Sequence, residues 1–463
     1  MKVKVKKIKP WLIGTVCLFI VVPLSWLLLL RLEGEKPQIV LKPTFLSIGA
    51  SQEFSVTVSD IKSGVRRICI SLLKDGREIV ILEQDFPCVG LSRGGKVKEE
   101  TFQVKIEPKK NDISDGQAVL RMVAQDYSWR RWWHGNKTYL EKNVMIDTRP
   151  PEIDILSSAH NISQGGAGLV IYQISELCPV SGVYVGENFF PGYSGHFKDS
   201  NILMAFFALN YNQGVGTDIF VKATDPAGNN ARAGLPHYIR EKVFKNDVVN
   251  VSDQFLNWKM PEFDIAVPND SKTPMLDKFL KVNRELRQAN AKKIAELGKN
   301  TDNVLYWDGV FSRLPQSAPM AGFADQREYK YGGLIIDHQV HLGIDLASLT
   351  HSPVPAANRG KVVFTDPLGI YGKTIIIDHG FGLFSMYSHL SGIDVQKEQI
   401  VSKGEIIGRT GSTGLAGGDH LHFGIFIHNT FVNPIEWWDA VWIKNNITTK
   451  IDEFVKTQNS TAE

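Results

Sequence analysis

The sequence predicts a mainly β chain: an N-terminal transmembrane helix, two β-sandwich modules, a helical linker and a C-terminal antiparallel β domain. Three observations carry this reading. The twenty residues from Trp11 to Leu30 include no charge. Short runs of Val, Ile and Phe, broken by polar and glycine turns, fill most of the remaining chain. A helical period replaces the strand period near Thr273. The 463 residues suit about three domains at roughly 150 each. With 43% hydrophobic and 22% charged residues, wholesale disorder, a collagen and a disulfide-framework miniprotein are excluded.

Residues 1–35 read as a basic cytoplasmic tail and a membrane anchor. Twenty helical residues at 1.5 Å each cross a hydrocarbon layer of roughly 30 Å. Lys2, Lys4, Lys6, Lys7 and Lys9 stand before the run, and positive charge there keeps the N-terminus inside. The expectation is therefore a single pass through the cytoplasmic membrane, with the bulk of the chain periplasmic or extracellular. A cleaved signal peptide fits less well, because Arg31-Leu32-Glu33-Gly34-Glu35 has no small-x-small pattern. Cys17 follows Val16 rather than the small residue an acylation signal needs, and reads as a thiol within the membrane. The five lysines supply +5 against a formal net charge of +3, leaving −2 for the rest, so no nucleic-acid partner is indicated.

Residues 36–147 and 148–245 read as two β modules. Phe54-Ser55-Val56-Thr57-Val58 and Val119-Leu120-Arg121-Met122-Val123 show the strand pattern in the first. Pro150 and Pro151 mark the boundary, since neither can donate to a ladder. The modules answer one another. Ser63-Gly64-Val65 after Asp60 matches Ser181-Gly182-Val183 after Glu176, and Val123-Ala124-Gln125-Asp126 matches Lys222-Ala223-Thr224-Asp225. The entry Asp147-Thr148-Arg149-Pro150-Pro151 and the phrase from Ala223 to Asn229 resemble bacterial immunoglobulin-like modules, which implies spacers or adhesion surfaces. Trp129, Trp132 and Trp133 read as braces of a hairpin, with an exposed ligand patch as the rival reading. In an exported chain Cys69 and Cys88 are the closer candidates for a bridge, Cys178 is left over, and no thiolate metal site is visible.

Residues 246–311 read as a helical linker. Thr273 is an N-cap candidate, Pro274 suits the first helical position, and Leu276, Phe279, Leu280, Leu286, Ile294 and Leu297 make a stripe ending at Gly298. That helix either braces the next domain or covers its cleft.

Residues 312–440 return to strands, and 441–463 are expected as a tail. In His341-Leu342-Gly343-Ile344-Asp345-Leu346 the even positions are apolar, so His341 and Asp345 share the other face. His420 and His422 share a face in His420-Leu421-His422-Phe423-Gly424-Ile425, and Ser385, Tyr387 and His389 form a third row. A carboxylate with neutral imidazoles is the ligand mixture of a catalytic zinc site, which keeps three protein ligands. Two imidazoles are then surplus, and they suit proton handling beside a metal.

His341-x-x-x-Asp345, Tyr387-Ser388-His389-Leu390, Gly411-Ser412-Thr413-Gly414 and His420-Leu421-His422-Phe423 occur in the order of the M23 zinc metallopeptidases, the lysostaphin or LytM type. The resemblance runs from about Ser312 to Trp438. It implies one Zn2+ held by His341, Asp345 and His422, with His389 and His420 catalytic. It also implies hydrolysis of peptide bonds in cell-wall peptidoglycan, met by an enzyme anchored on the outer face of the membrane. The alternative is a non-catalytic LytM-like scaffold that binds wall or activates a hydrolase; such relatives lose ligands, and all five positions are kept here. Two departures stand out: Asp419 before His420, expected to orient it or raise its basicity, and Gly424 where many members carry Glu. Tyr329 to Gln339, with Gly332-Gly333, reads as a hairpin at the cleft rim. His338, His351, His379 and His428 read as structural or solvated.

Overall fold

The computed structural model describes residues 10–90, 94–158 and 160–460. The lysine tail lies outside the described residues, as do the side chains at 10–14, 16, 17, 30 and 457–460, including that of Cys17. Strand outweighs helix, 43% against 19%, in line with the alternating runs. The run from Trp11 to Leu30 falls within a helix, Pro10–Arg31. Among the described residues no helix is long and apolar enough to cross a membrane, so the expected span is not found there. Two compact units form, residues 1–150 with 224–230, and residues 151–223 with 231–463.

The first unit is built on two sheets. Gln52–Ser59 lies between Gln38–Lys42 and Glu99–Ile106, all antiparallel. The second sheet runs Ser47–Ile48, Lys137–Ile146, Gly116–Asp126, Val65–Lys74, Arg77–Asp85. Phe54, Val56 and Val58 from one sheet share a core with Ile68, Ile70, Leu72, Leu120, Met122 and Ala124 from the other. Every second residue is inside, as pleating requires. At about 1.5–3 kcal/mol per buried aliphatic side chain, a one-residue slip would expose a whole row, so the register is fixed. No disulfide joins Cys69 to Cys88: Cys69 sits in the centre of Val65–Lys74, whereas Cys88 begins a separate small ladder. Trp129 packs against Trp133 with ring centres 4.6 Å apart, under the Arg31 guanidinium. Trp132 is exposed. Trp129 and Trp133 therefore brace a turn, as the commoner reading expects, whereas Trp132 does not join them.

In the second unit Ala167–Ile174 lies between Ile153–Ile155 and Ile202–Ala208, antiparallel, and His160–Ser163 pairs parallel with His237–Arg240. The first unit has the same pair of devices, with Ser47–Ile48 running parallel to the end of Lys137–Ile146. The expected helix forms as Pro274–Lys281, a π segment Val282–Leu286, and Arg287–Leu297. Pro274 opens it as expected, but Thr273 makes no side-chain cap bond. Phe279, Val282 and Ile294 anchor it to the core.

That core lies under an antiparallel sheet ordered Ala318–Ala321, Ile344–Ala347, Leu421–Ile427, Leu383–Leu390, Lys373–Asp378, Gly360–Phe364, Ile400–Val401. Leu421–Ile427 and Leu383–Leu390 are buried along their whole length, so the centre of the sheet is covered on both faces. The expected hairpin forms between Gln326–Tyr331 and Leu334–Val340, with Gly332 and Gly333 at positive φ of 57° and 86°. Both turn residues of such a tight connection need that conformation, which glycine adopts without strain. Beyond Trp438 the expected tail is instead helical, through Thr449–Ser460, because Ile443 and Ile447 are buried in the core.

Candidate metal centre

The register of two neighbouring strands builds the centre. Asp345 on Ile344–Ala347 stands directly across from His422 on Leu421–Ile427. His341 occupies the turn before Ile344–Ala347, where its N–H donates to the Asp325 carbonyl and its own carbonyl accepts from Ala324 N–H. Gly343 is required between them, since a Cβ there would lie 2.5 Å from the His422 ring.

Three donor atoms converge. His341 Nε2 is 2.9 Å from Asp345 Oδ1, His422 Nδ1 is 2.9 Å from the same oxygen, and the two nitrogens are 3.0 Å apart. All three residues are buried. His341 Nδ1 donates to the Gly322 carbonyl at 2.8 Å. A carbonyl only accepts, so neutral His341 carries its proton on Nδ1 and turns a bare Nε2 to the cluster. His422 Nε2 is buried with no hydrogen-bond partner, so Nδ1 is the nitrogen placed for coordination. Two imidazole nitrogens and one carboxylate oxygen, so oriented, fit a divalent metal of the zinc type.

His420 and His389 flank this group. His420 Nε2 is 3.6 Å from Asp345 Oδ1, and its Nδ1 donates to the Gly418 carbonyl. His389 Nδ1 donates to the Thr413 carbonyl at 2.8 Å, and its ring centre lies 4.8 Å from that of His420 and 5.8 Å from that of His422. In both, the Nδ1–H bond leaves Nε2 without a proton in the neutral ring. His389 also has a left-handed φ of 62°, an uncommon conformation for a residue with a side chain and one that recurs where a site over-determines the backbone. The row of Ser385, Tyr387 and His389 breaks there. Ser385 and Tyr387 instead join a buried network with His379 and the Ala357 amide.

The electrostatics follow from burial and proximity. Burial opposes ionisation of Asp345, but His341, His420 and His422 hold its carboxyl well below the usual range. Burial pushes His422 down to about 4, against the pull of Asp345. His389 is likewise lowered by burial, with His420 and His422 adding to the effect. His420 is desolvated too, yet Asp345 raises it above its ordinary value.

The five residues open on a cleft of about 520 Å³ whose other walls include Phe279 and Arg287 from the long helix and Arg327 and Tyr329 from the hairpin. Helix and hairpin thus wall the cleft. Arg327 is the functional candidate that sequence reasoning missed. Its Nη2 donates to Asp345 Oδ2 at 3.1 Å, and its Nε lies 3.7 Å from Asp247 Oδ2. The signal was weak: Arg327 and Tyr329 share a hairpin face, but only the fold brings that face over Asp345. Asp419 departs from expectation, for its Oδ2 accepts from His351 N–H and His420 is turned by Gly418 and Asp345 instead. The remaining histidines lie outside the metal group. His379 is buried between Arg359 O and Ser385 Oγ and lowered by burial to about 4, His428 donates to Gly298 O, and His338 and His351 stay exposed.

Residues 339–434 match the model of peptidase family M23. The C-terminal domain belongs to this family. Among curated proteins the chain is 37% identical over 107 residues to the DD-carboxypeptidase/endopeptidase Mpg of Neisseria meningitidis, covering 23% of this chain and 25% of that one. It is 38% identical over 96 residues to the peptidoglycan DD-endopeptidase ShyA of Vibrio cholerae, covering 21% and 22%. The chain therefore spans about a quarter of the length of these relatives. A putative M23 peptidase structure from Pseudomonas aeruginosa aligns with a TM-score of 0.38 at 20% identity, over 60% of this chain and 95% of that one. The M23 match encloses His341, Asp345, His389, His420 and His422, and leaves both upstream β modules and Arg327 outside.

Proposed function

We propose that this chain is a zinc-dependent endopeptidase acting on peptide bonds of cell-wall peptidoglycan. The observation that carries the reading is the triangle of His341 Nε2, Asp345 Oδ1 and His422 Nδ1, with sides of 2.9 to 3.0 Å. Peptidoglycan as substrate is supported by the relatives named for that activity.

His341, Asp345 and His422 would hold one zinc ion. When bound, zinc supplies Lewis acidity towards a scissile carbonyl and lowers the pKa of water. The remaining chemistry belongs to side chains. His389 and His420, each with Nδ1 committed to a backbone carbonyl, offer Nε2 to the cleft, one as the neutral ring to accept the proton of the attacking water and the other as imidazolium, protonated on Nε2 as well, to donate towards the developing oxyanion or the leaving amine. Arg327 steadies the Asp345 carboxylate from its second oxygen. Burial of the ligand face excludes bulk water and strengthens each of these interactions.

The wider setting is part of the proposal. The uncharged run after five lysines supports a single-pass anchor in the cytoplasmic membrane, with the enzyme outside. In the first module the three-stranded sheet faces a sheet closed by a parallel end pair; this supports an immunoglobulin-like spacer, with the second module its repeat.

Mass spectrometry of products from defined muropeptides tests the activity. The full chain should release peptide fragments in a chelator-sensitive reaction that zinc restores. Stoichiometric zinc without turnover on any wall substrate would assign the domain to the scaffold class instead.

A further inference from the structure

A second group of ligand-type side chains lies in the first unit, at the point where the chain leaves the N-terminal helix. Glu33, Asp60 and Asp126 each bring a carboxylate oxygen within 4.8 Å of the other two. They are 8%, 7% and 0% exposed. Backbone amides orient them. Ser63 N–H donates to Glu33 Oε1 at 2.7 Å, Gly64 N–H to Asp60 Oδ1 at 2.8 Å, and Ser128 and Asn136 N–H to Asp126 Oδ1 at 2.9 and 2.6 Å.

These amides do not balance three negative charges. Among the described residues no lysine or arginine pairs with any of the three carboxylates, and Lys62 is committed to Glu35. Glu33 Oε2 is buried with no hydrogen-bond partner at all. An unmatched buried carboxylate oxygen forfeits the hydrogen bonds water would give it, and like charges this close in a dry site repel. Burial raises the Glu33 carboxyl, with Asp60 and Asp126 adding to the effect. A bound cation would balance this charge and give Glu33 Oε2 a partner.

The donor set selects which one. Three carboxylates and no imidazole or thiolate suit a hard, oxygen-seeking divalent ion rather than zinc. We infer that Glu33, Asp60 and Asp126 form a calcium site that ties the segment after the helix to the first β module.

The arrangement is repeated, which argues for a built feature. Asn136 Nδ2 donates to Asp126 Oδ2 and to the carbonyls of Glu33 and Glu35. Asn229 Nδ2 donates to Asp225 Oδ2 and to the carbonyls of Asp147 and Arg149. The same asparagine clamp therefore makes Asp147 the counterpart of Glu33 and Asp225 that of Asp126, and in sequence Glu176 answers Asp60. Acidic residues recur at all three positions.

Equilibrium dialysis of the full chain, saturated with zinc and equilibrated with radioactive calcium at about 2 mM, tests the site at the affinity typical of extracellular modules. The wild-type chain should retain calcium. Glu33→Gln keeps an acceptor for Ser63 N–H but lacks the charge, and should bind one ion fewer per chain. Asp60→Asn supplies the same comparison if circular dichroism finds Glu33→Gln unfolded. Equal stoichiometry in the folded variant and wild type overturns the inference, as does a wild-type chain that retains no calcium. Neither result depends on peptidase turnover.

Discussion

The two clusters of buried ligand-type residues are oriented by opposite ends of the peptide group. At His341, His389 and His420 the main chain offers carbonyls, which accept Nδ1–H and leave Nε2 bare. At Glu33, Asp60 and Asp126 it offers N–H groups, which hold carboxylates. The first arrangement gathers nitrogen donors with a single negative charge, and the second gathers three charges on oxygen. Main-chain geometry thereby fixes which ring nitrogen faces the first cluster and orients the carboxylates of the second, and the donor atoms so gathered set the hardness of the ion each cluster suits.

The sharpest way to break this comparison is Asp345→Ala. It removes the only carboxylate among the candidate zinc ligands, so zinc content should fall from one per chain towards zero. Loss of several kcal/mol of Lewis-acid stabilisation corresponds to a fall in kcat/KM of about 10³-fold or more. Calcium stoichiometry should be unchanged. Metal analysis of the same preparation for both ions checks this, and joint loss would mean that the clusters are not chemically distinct.

His389→Ala has a smaller expected effect. A positioned proton-transfer group contributes about 10²–10⁴-fold, and His389 lies outside the triangle of donor atoms. The rate should fall within that range while zinc remains bound. Loss of zinc from a folded His389→Ala chain would move this residue into the ligand set and undo the division between holding and proton handling.

How much of this was legible beforehand depended on the distance over which each feature is encoded. His341 with Asp345, and His420 with His422, are separated by four residues or fewer, so alternation expects each pair on one face, although His341 reaches Asp345 from the turn before the strand and not from the strand itself. That Asp345 meets His422 is a matter of register between strands 77 residues apart, which local pattern does not encode; the family resemblance supplied it. Ser385 and Tyr387 misled because their strand is buried on both faces, where alternation no longer separates core from cleft. Both tandem matches noted in sequence, Asp60 with Glu176 and Asp126 with Asp225, belong to the acidic positions. The third member, Glu33, was read only as the end of an anchor, and the clamp by Asn136 that draws it in spans 103 residues.

Arg327 gives the subtlest test of what orients the zinc-type cluster, because here a charged side chain replaces the peptide group. Its guanidinium holds Asp345 Oδ2 at 3.1 Å and is itself flanked by Asp247. Two opposing effects are at stake. The pair fixes the carboxylate for coordination, yet its positive charge repels an incoming cation. A buried, already oriented ligand does not pay to reorganise on binding, and loss of such outer partners weakens metal binding by about 10–100-fold. We expect orientation to prevail. Arg327→Met, which keeps much of the apolar stem, should weaken zinc binding by about tenfold in competition with a chromophoric chelator, with kcat little changed once zinc is saturating. Tighter zinc binding in the folded variant would mean that charge repulsion outweighs positioning, and that this centre, unlike the carboxylate cluster, is tuned for metal exchange rather than retention.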